Sequence, residues 1–221
     1  MNPVTIIAIV VAVILIGLNV YSVVRRRKVV DELATLLLKG EIEQFDALME
    51  KKETKRLVHP FNYEYMQLSR YMMTGDNKKI TELFDQFKTR RLNDAQKKEI
   101  ALRGFNHFVS NKDKTRSTYY RDQLNELPVT VVDEATKKQV NLFYDVCIGK
   151  KTDMLDDLLK QTEKVDEKYR SVNEYLISVI YENKGDKKKA EEYEELSKKH
   201  MMMLDKEMAE KYTSVNNQQD K

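Results

Sequence analysis

Four glycines recur at a near-constant interval: Gly40, Gly75, Gly149 and Gly185, separated by 35, 74 and 36 residues. The long step is about twice the short ones, and Lys112 stands at its midpoint within Ser110, Asn111, Lys112 and Asp113. Glu41, Asp76 and Asp186 directly follow three of the glycines, as Asp113 follows Lys112. Glycine accepts the left-handed backbone that closes a helix, and a following residue able to start the next makes one joint both stop and start. One joint per 35 to 37 residues means stacked helical hairpins. The pattern predicts helices over 27–39 with 42–54, 61–74 with 77–90, 93–110 with 114–126, 130–148 with 152–163, and 166–183 with 187–211. Pro60 and Pro128 serve as breakers between successive hairpins. Six glycines, three prolines and no tryptophan weigh against a β-sandwich, and the single Cys147 excludes an internal disulfide.

Two copies of the repeat can be compared directly. Residues 64–83 and 174–193 match at Glu64/Glu174, Tyr65/Tyr175, Tyr71/Tyr181, Gly75/Gly185, Asp76/Asp186, Lys78/Lys188, Lys79/Lys189 and Glu82/Glu192. Positions five and eight after the joint stay mostly apolar: Phe45 and Leu48, Ile80 and Leu83, Ser117 and Tyr120, Ala190 and Tyr193. In the 149 unit they slip slightly, to Met154, Leu155, Leu158 and Leu159. The last unit runs Ile177, Ser178, Tyr181, Gly185, Asp186, Ala190, Tyr193, Ser197. With these residues the chain resembles the tetratricopeptide repeat (TPR) family, in which small residues let paired helices approach and aromatics fill the gaps between repeats. The resemblance implies a degenerate TPR-like α-solenoid of about five hairpins over residues 29–212. In that family the first helix of each hairpin lines a concave groove that holds a peptide. The matched positions make Tyr65, Ser69 and Met72 groove candidates in one unit and Tyr175, Val179 and Glu182 in the other, with Asn106 and Phe143 between them. Tyr65 and Tyr175 read equally well as packing aromatics.

The 75 formal charges avoid residues 1–24 entirely. From Pro3 to Val24, 17 of 22 residues are apolar, and Arg25, Arg26, Arg27 and Lys28 follow at once. Roughly twenty apolar residues match a bilayer, and flanking cations stay on the cytoplasmic side. The expectation is a transmembrane helix over 1–24, contacting the lipid bilayer through residues 3–24, and a basic juxtamembrane run at 25–28. It places the N terminus outside and the repeat domain in the cytoplasm. Those four cations exceed the net charge of +3, so residues 29–221 carry −1 and offer nucleic acid no unbalanced basic face. The tail over 213–221 is polar and reads as disordered. Met201, Met202, Met203, Leu204 and Met208 read as a cap over the last hairpin, with an adaptable binding stripe as the alternative.

No constellation for chemistry emerges. His59, His107 and His200 lie on different predicted units and none has a partner at metal-ligand spacing, so no metal is expected. Cys147, among Phe143, Val146 and Ile148, reads as a packed small hydrophobe, and Asp153, Asp156 and Asp157 as a solvated helix start. There is no phosphate loop or nucleophile elbow, and no cofactor is expected. The expectation is a non-enzymatic, membrane-anchored adaptor or scaffold binding proteins or peptides. The alternative is a structural or assembly subunit of an envelope, secretion or division complex, and third comes an enzyme with a cryptic site. Homo-oligomerisation is left open.

Overall fold

In the computed structural model, residues 3–219 are described, with side chains placed for residues 20–207. Every regular element among them is helical, and the chain divides into two compact units, Met1–Arg90 and Arg91–Lys221.

The first unit holds α1 (Pro3–Leu38), α2 (Ile42–Glu50), α3 (Lys52–Leu57), α4 (Pro60–Thr74) and α5 (Asn77–Thr89). The membrane span expected over residues 1–24 is corrected here: among the described residues no helix is long and apolar enough to cross a membrane. The physical reason is the charge that the described part of α1 carries. Nothing between Val24 and Leu38 breaks a helix, so α1 runs through the basic run and on into the core. Its part with placed side chains carries Arg25, Arg26, Arg27, Lys28, Asp31 and Glu32 and buries Leu33 and Leu37. Residues 1 and 2 and the side chains before residue 20 lie outside the described residues, and with them most of the apolar run. The orientation read from Arg25–Lys28 depended on that span.

Leu33 and Leu37 meet Phe45, Leu48, Met49 and Val58 in one apolar cluster. Full burial of such side chains contributes about 1.5–3 kcal/mol each, so this cluster anchors α1 to the unit. The helix expected over 42–54 is broken at Lys51, whose extended backbone lets Thr54 and Val58 turn inward.

The second unit holds α6 (Asp94–Ser110), α7 (Lys114–Glu126), α8 (Glu134–Cys147), α9 (Leu155–Glu163), a 3₁₀ turn (Glu167–Tyr169), α10 (Ser171–Lys184) and α11 (Lys187–Gln219). In the α6–α7 pair Gly104 is needed for close approach: a Cβ there would sit 2.7 Å from the Tyr120 ring. The fourth hairpin departs from the expected pairing, because α9 packs chiefly against α10. Of the tail expected over 213–221, residues 213–219 fall within α11, and their side chains, like residues 220 and 221, lie outside the described residues.

Left-handed backbone occurs at Gly40, Gly75, Lys112, Lys150 and Gly185, a spacing of 35, 37, 38 and 35 residues. At Gly75, Lys112 and Gly185 the closure is the same. The following amide donates to a carbonyl five residues back: Asp76 to Tyr71 (3.1 Å), Asp113 to Phe108 (2.9 Å) and Asp186 to Tyr181 (2.9 Å). Each aspartate then caps the next helix, its Oδ1 accepting from the amide of Lys79, Arg116 or Lys189 at 3.0–3.2 Å. The fourth joint is shifted one residue, to Lys150. There Gly149 donates to Tyr144 at 2.9 Å and Lys151 to Asp145 at 3.0 Å, so the end of α8 is opened by one residue. Counting from the left-handed residue instead of the glycine removes the slip: Leu155 and Leu158 take the fifth and eighth places and are buried like Phe45 and Leu48, Ile80 and Leu83, Ser117 and Tyr120. Only Ala190 and Tyr193 of the last unit are half-buried.

Candidate functional site

The second unit carries a groove of about 460 Å³ built mainly from three first-of-pair helices, with Glu194 contributed by α11. Helix α6 supplies Val109 and Ser110, α8 supplies Cys147, and α10 supplies Tyr175, Ser178, Val179 and Glu182, with Lys112 and Lys150 at the joints. It forms there because the left-handed residues end α6 and α8 and leave their last turns open beside α10. Tyr175 forms one wall, stacked on Phe143 with ring centroids 6.2 Å apart. Asn183 Nδ2 donates to the Val146 carbonyl at 3.0 Å and fixes α10 against α8.

Three of the groove candidates, Tyr175, Val179 and Glu182, therefore come together, with Phe143 supporting them from behind. Asn106 is exposed on α6, one turn before Ser110, whose Oγ donates to the Asn106 carbonyl at 2.9 Å. Tyr65, Ser69 and Met72 share a face of α4 in the first unit but do not line its cleft. That cleft, about 210 Å³, takes Tyr63, Gln67, Arg70 and Tyr71 from α4. Arg70 closes one side of it with a two-pronged pair onto Asp46, at 3.0 and 2.6 Å. Tyr65 stacks on Phe61 at 5.7 Å, which makes it a packing aromatic, and Ser69 Oγ donates to the Tyr65 carbonyl. Arg25, Arg26, Arg27 and Lys28 lie exposed on α1.

Sequence reasoning missed Val109, Ser110, Lys112, Cys147, Lys150, Ser178, Asn183 and Glu194 as groove residues. The apparent joint at Gly149 hid Lys150, and Cys147 carried only a packing signal. Burial pushes the Cys147 thiol up to about 11, against a partly offsetting hydrogen bond with Tyr175. A thiol held protonated in this way is a poor nucleophile at neutral pH. Burial also raises Tyr175 above its ordinary value, so its hydroxyl stays a hydrogen-bonding group. The groove thus offers apolar area, an aromatic edge and charges of both signs, with Lys112 Nζ 3.7 Å from Glu182.

The histidines separate. His59 Nδ1 accepts from the Phe61 amide and caps α4, while His107 packs edge-on to Phe108 and burial lowers its pKa. His200 is buried, its Nδ1 2.7 Å from Glu174 and its Nε2 3.1 Å from Glu167. Those partners are 26 and 33 residues away, so spacing along the chain concealed them. Among the described residues no group of three His, Cys, Asp or Glu side chains is placed to hold a metal ion. Met201, Met202 and Met203 are exposed, and the face of α11 turned to α10 is formed instead by Ser197 and His200. The cap expected of Met201, Met202 and Met203 is corrected accordingly; Leu204 is half-buried, and the Met208 side chain lies outside the described residues. Comparison of the chain with protein-family models, with curated proteins and with solved structures gives no match.

Proposed function

We propose that this chain is a non-enzymatic adaptor of TPR-like helical hairpins that binds a protein segment in the groove between α6, α8 and α10. The observation that carries the reading is the convergence of Tyr175, Val179 and Glu182 with the open ends of α6 and α8. A peptide laid there gains apolar contact from Val179 and an aromatic edge from Tyr175. Lys112 and Glu182 at the rim give it orientation through their opposite charges.

Peptide display on the purified chain, followed by calorimetry on the selected sequences, tests it. Selected peptides bind wild type, and Val179→Glu, which puts a charge into the floor, weakens them by at least tenfold. Glu82→Gln, at an exposed position of α5, changes nothing. Peptides that bind Val179→Glu as well as wild type would remove the groove from the proposal, and turnover of a substrate by the purified chain would remove the adaptor.

A further inference from the structure

Charge in the first unit is segregated. Residues 25–28 and 51–56 hold eight basic side chains against one acidic, Glu53, a net +7, whereas residues 29–50 hold one basic side chain against six acidic. The two basic segments are separate in sequence but meet in the fold, because α3 packs against α1. Arg25, Lys52 and Arg56 line one cleft of about 390 Å³ around Glu53, which pairs with Arg25. Arg27 makes a long contact with Asp31 at 3.9 Å. Among the described residues no ion pair engages Arg26, Lys28, Lys51, Lys52, Lys55 or Arg56, and all six are exposed.

A second observation says what this cationic surface meets. One turn before it on the same helix, Val20, Tyr21, Val23 and Val24 stand exposed at 57%, 62%, 54% and 49%. Nucleic acid and acidic protein would satisfy the cations but leave these apolar side chains in water. A bilayer with anionic headgroups satisfies both, since apolar and aromatic groups enter the interfacial zone while Lys and Arg remain among the phosphates.

We propose that the folded first unit docks on an anionic phospholipid surface through a patch shared by α1 and α3. The distinctive element is α3. Its cations lie far in sequence from the apolar run, and they reach the membrane surface only if the folded unit presents them beside Arg25–Lys28. This differs from insertion of the N-terminal residues alone, which would be indifferent to α3.

Cosedimentation of the full chain with vesicles tests it. Binding to phosphatidylcholine vesicles containing 30% phosphatidylserine is expected to exceed binding to pure phosphatidylcholine, and to weaken as sodium chloride is raised. The triple variant Lys52→Gln, Lys55→Gln, Arg56→Gln is expected to lose about 100-fold in partition, from the usual contribution of one cation near such a surface. A control removing the same charge from the second unit, Lys184→Gln, Lys187→Gln, Lys188→Gln, keeps wild-type partition, and unchanged far-ultraviolet circular dichroism shows both variants folded. Equal binding to neutral and anionic vesicles overturns the proposal, as does a triple variant that binds like wild type. Displacement from vesicles by an equal charge concentration of duplex DNA reassigns the patch to nucleic acid and overturns it as well.

Discussion

The α4–α5 and α10–α11 hairpins are built on the same residues and end differently. In both, a glycine takes left-handed backbone, at φ 69° for Gly75 and 81° for Gly185. In both, an aspartate caps the second helix at 3.2 Å. A lysine then lies over the last aromatic of the first helix, Lys79 over Tyr71 at 5.1 Å and Lys189 over Tyr181 at 5.0 Å. The matched glutamates diverge. Glu64, 18% exposed, pairs with the exposed Arg90, whereas Glu174 is only 3% exposed and faces His200. Local sequence therefore writes the joint, and the long α11 decides what becomes of the first helix: it lays a histidine across a residue that in the other copy is a half-buried carboxylate paired with an exposed arginine.

The largest test of that difference is to remove the two partners in turn. His200→Ala strands a buried carboxylate and is expected to cost about 3 kcal/mol or more. Arg90→Ala unpairs a half-buried one that water still reaches and is expected to cost about 1 kcal/mol. Hydrogen exchange resolved to α10 and α4 reads the two separately, and equal losses would erase the contrast. Next in size, Asp76→Ala and Asp186→Ala should each cost about 1 kcal/mol, because each removes the same cap. Urea midpoints that moved for one variant only would show the joints to be unlike.

The smallest effect extends the comparison to the joint that uses lysine. The Arg116 amide, and then its guanidinium, hold the Asp113 carboxyl below the usual carboxylate range. A lowered native pKa stabilises above the unfolded value and is lost as pH falls through the native one. Asp113→Asn can still cap but carries no charge. Its deficit against wild type, under about 1 kcal/mol at pH 7, should vanish as pH falls through the lowered native pKa of Asp113. A deficit that persisted in acid would locate it in packing.

The joints at Gly75, Lys112 and Gly185 were legible because their chemistry is local: Gly or Lys in left-handed backbone, then an aspartate that caps three residues on. Even the 112 unit, which lacks a glycine, announced itself through Asp113. The fourth joint misled because Gly149 sits one residue early. A Cβ there would come 2.7 Å from the Asp145 carbonyl, so that glycine answers a close backbone approach and the left-handed turn falls to Lys150. Of the groove candidates, those on α10 converge, while Tyr65 and Ser69 on α4 are engaged in packing. Identity at aligned positions does not reveal what neighbouring helices cover. The His200 clasp stayed hidden for the same reason: Glu174 and His200 meet only after α11 has folded back along α10.

Helix α1 has a mechanical consequence. Between Val20 and Leu38 it contains no glycine or proline, and at 1.5 Å per residue it is a rod about 27 Å long. Its basic end is exposed and its other end is clamped by Leu33 and Leu37. A push or twist applied at Arg25–Lys28 has no joint in which to dissipate before it reaches that clamp, so the rod acts as a lever on the floor of the first unit.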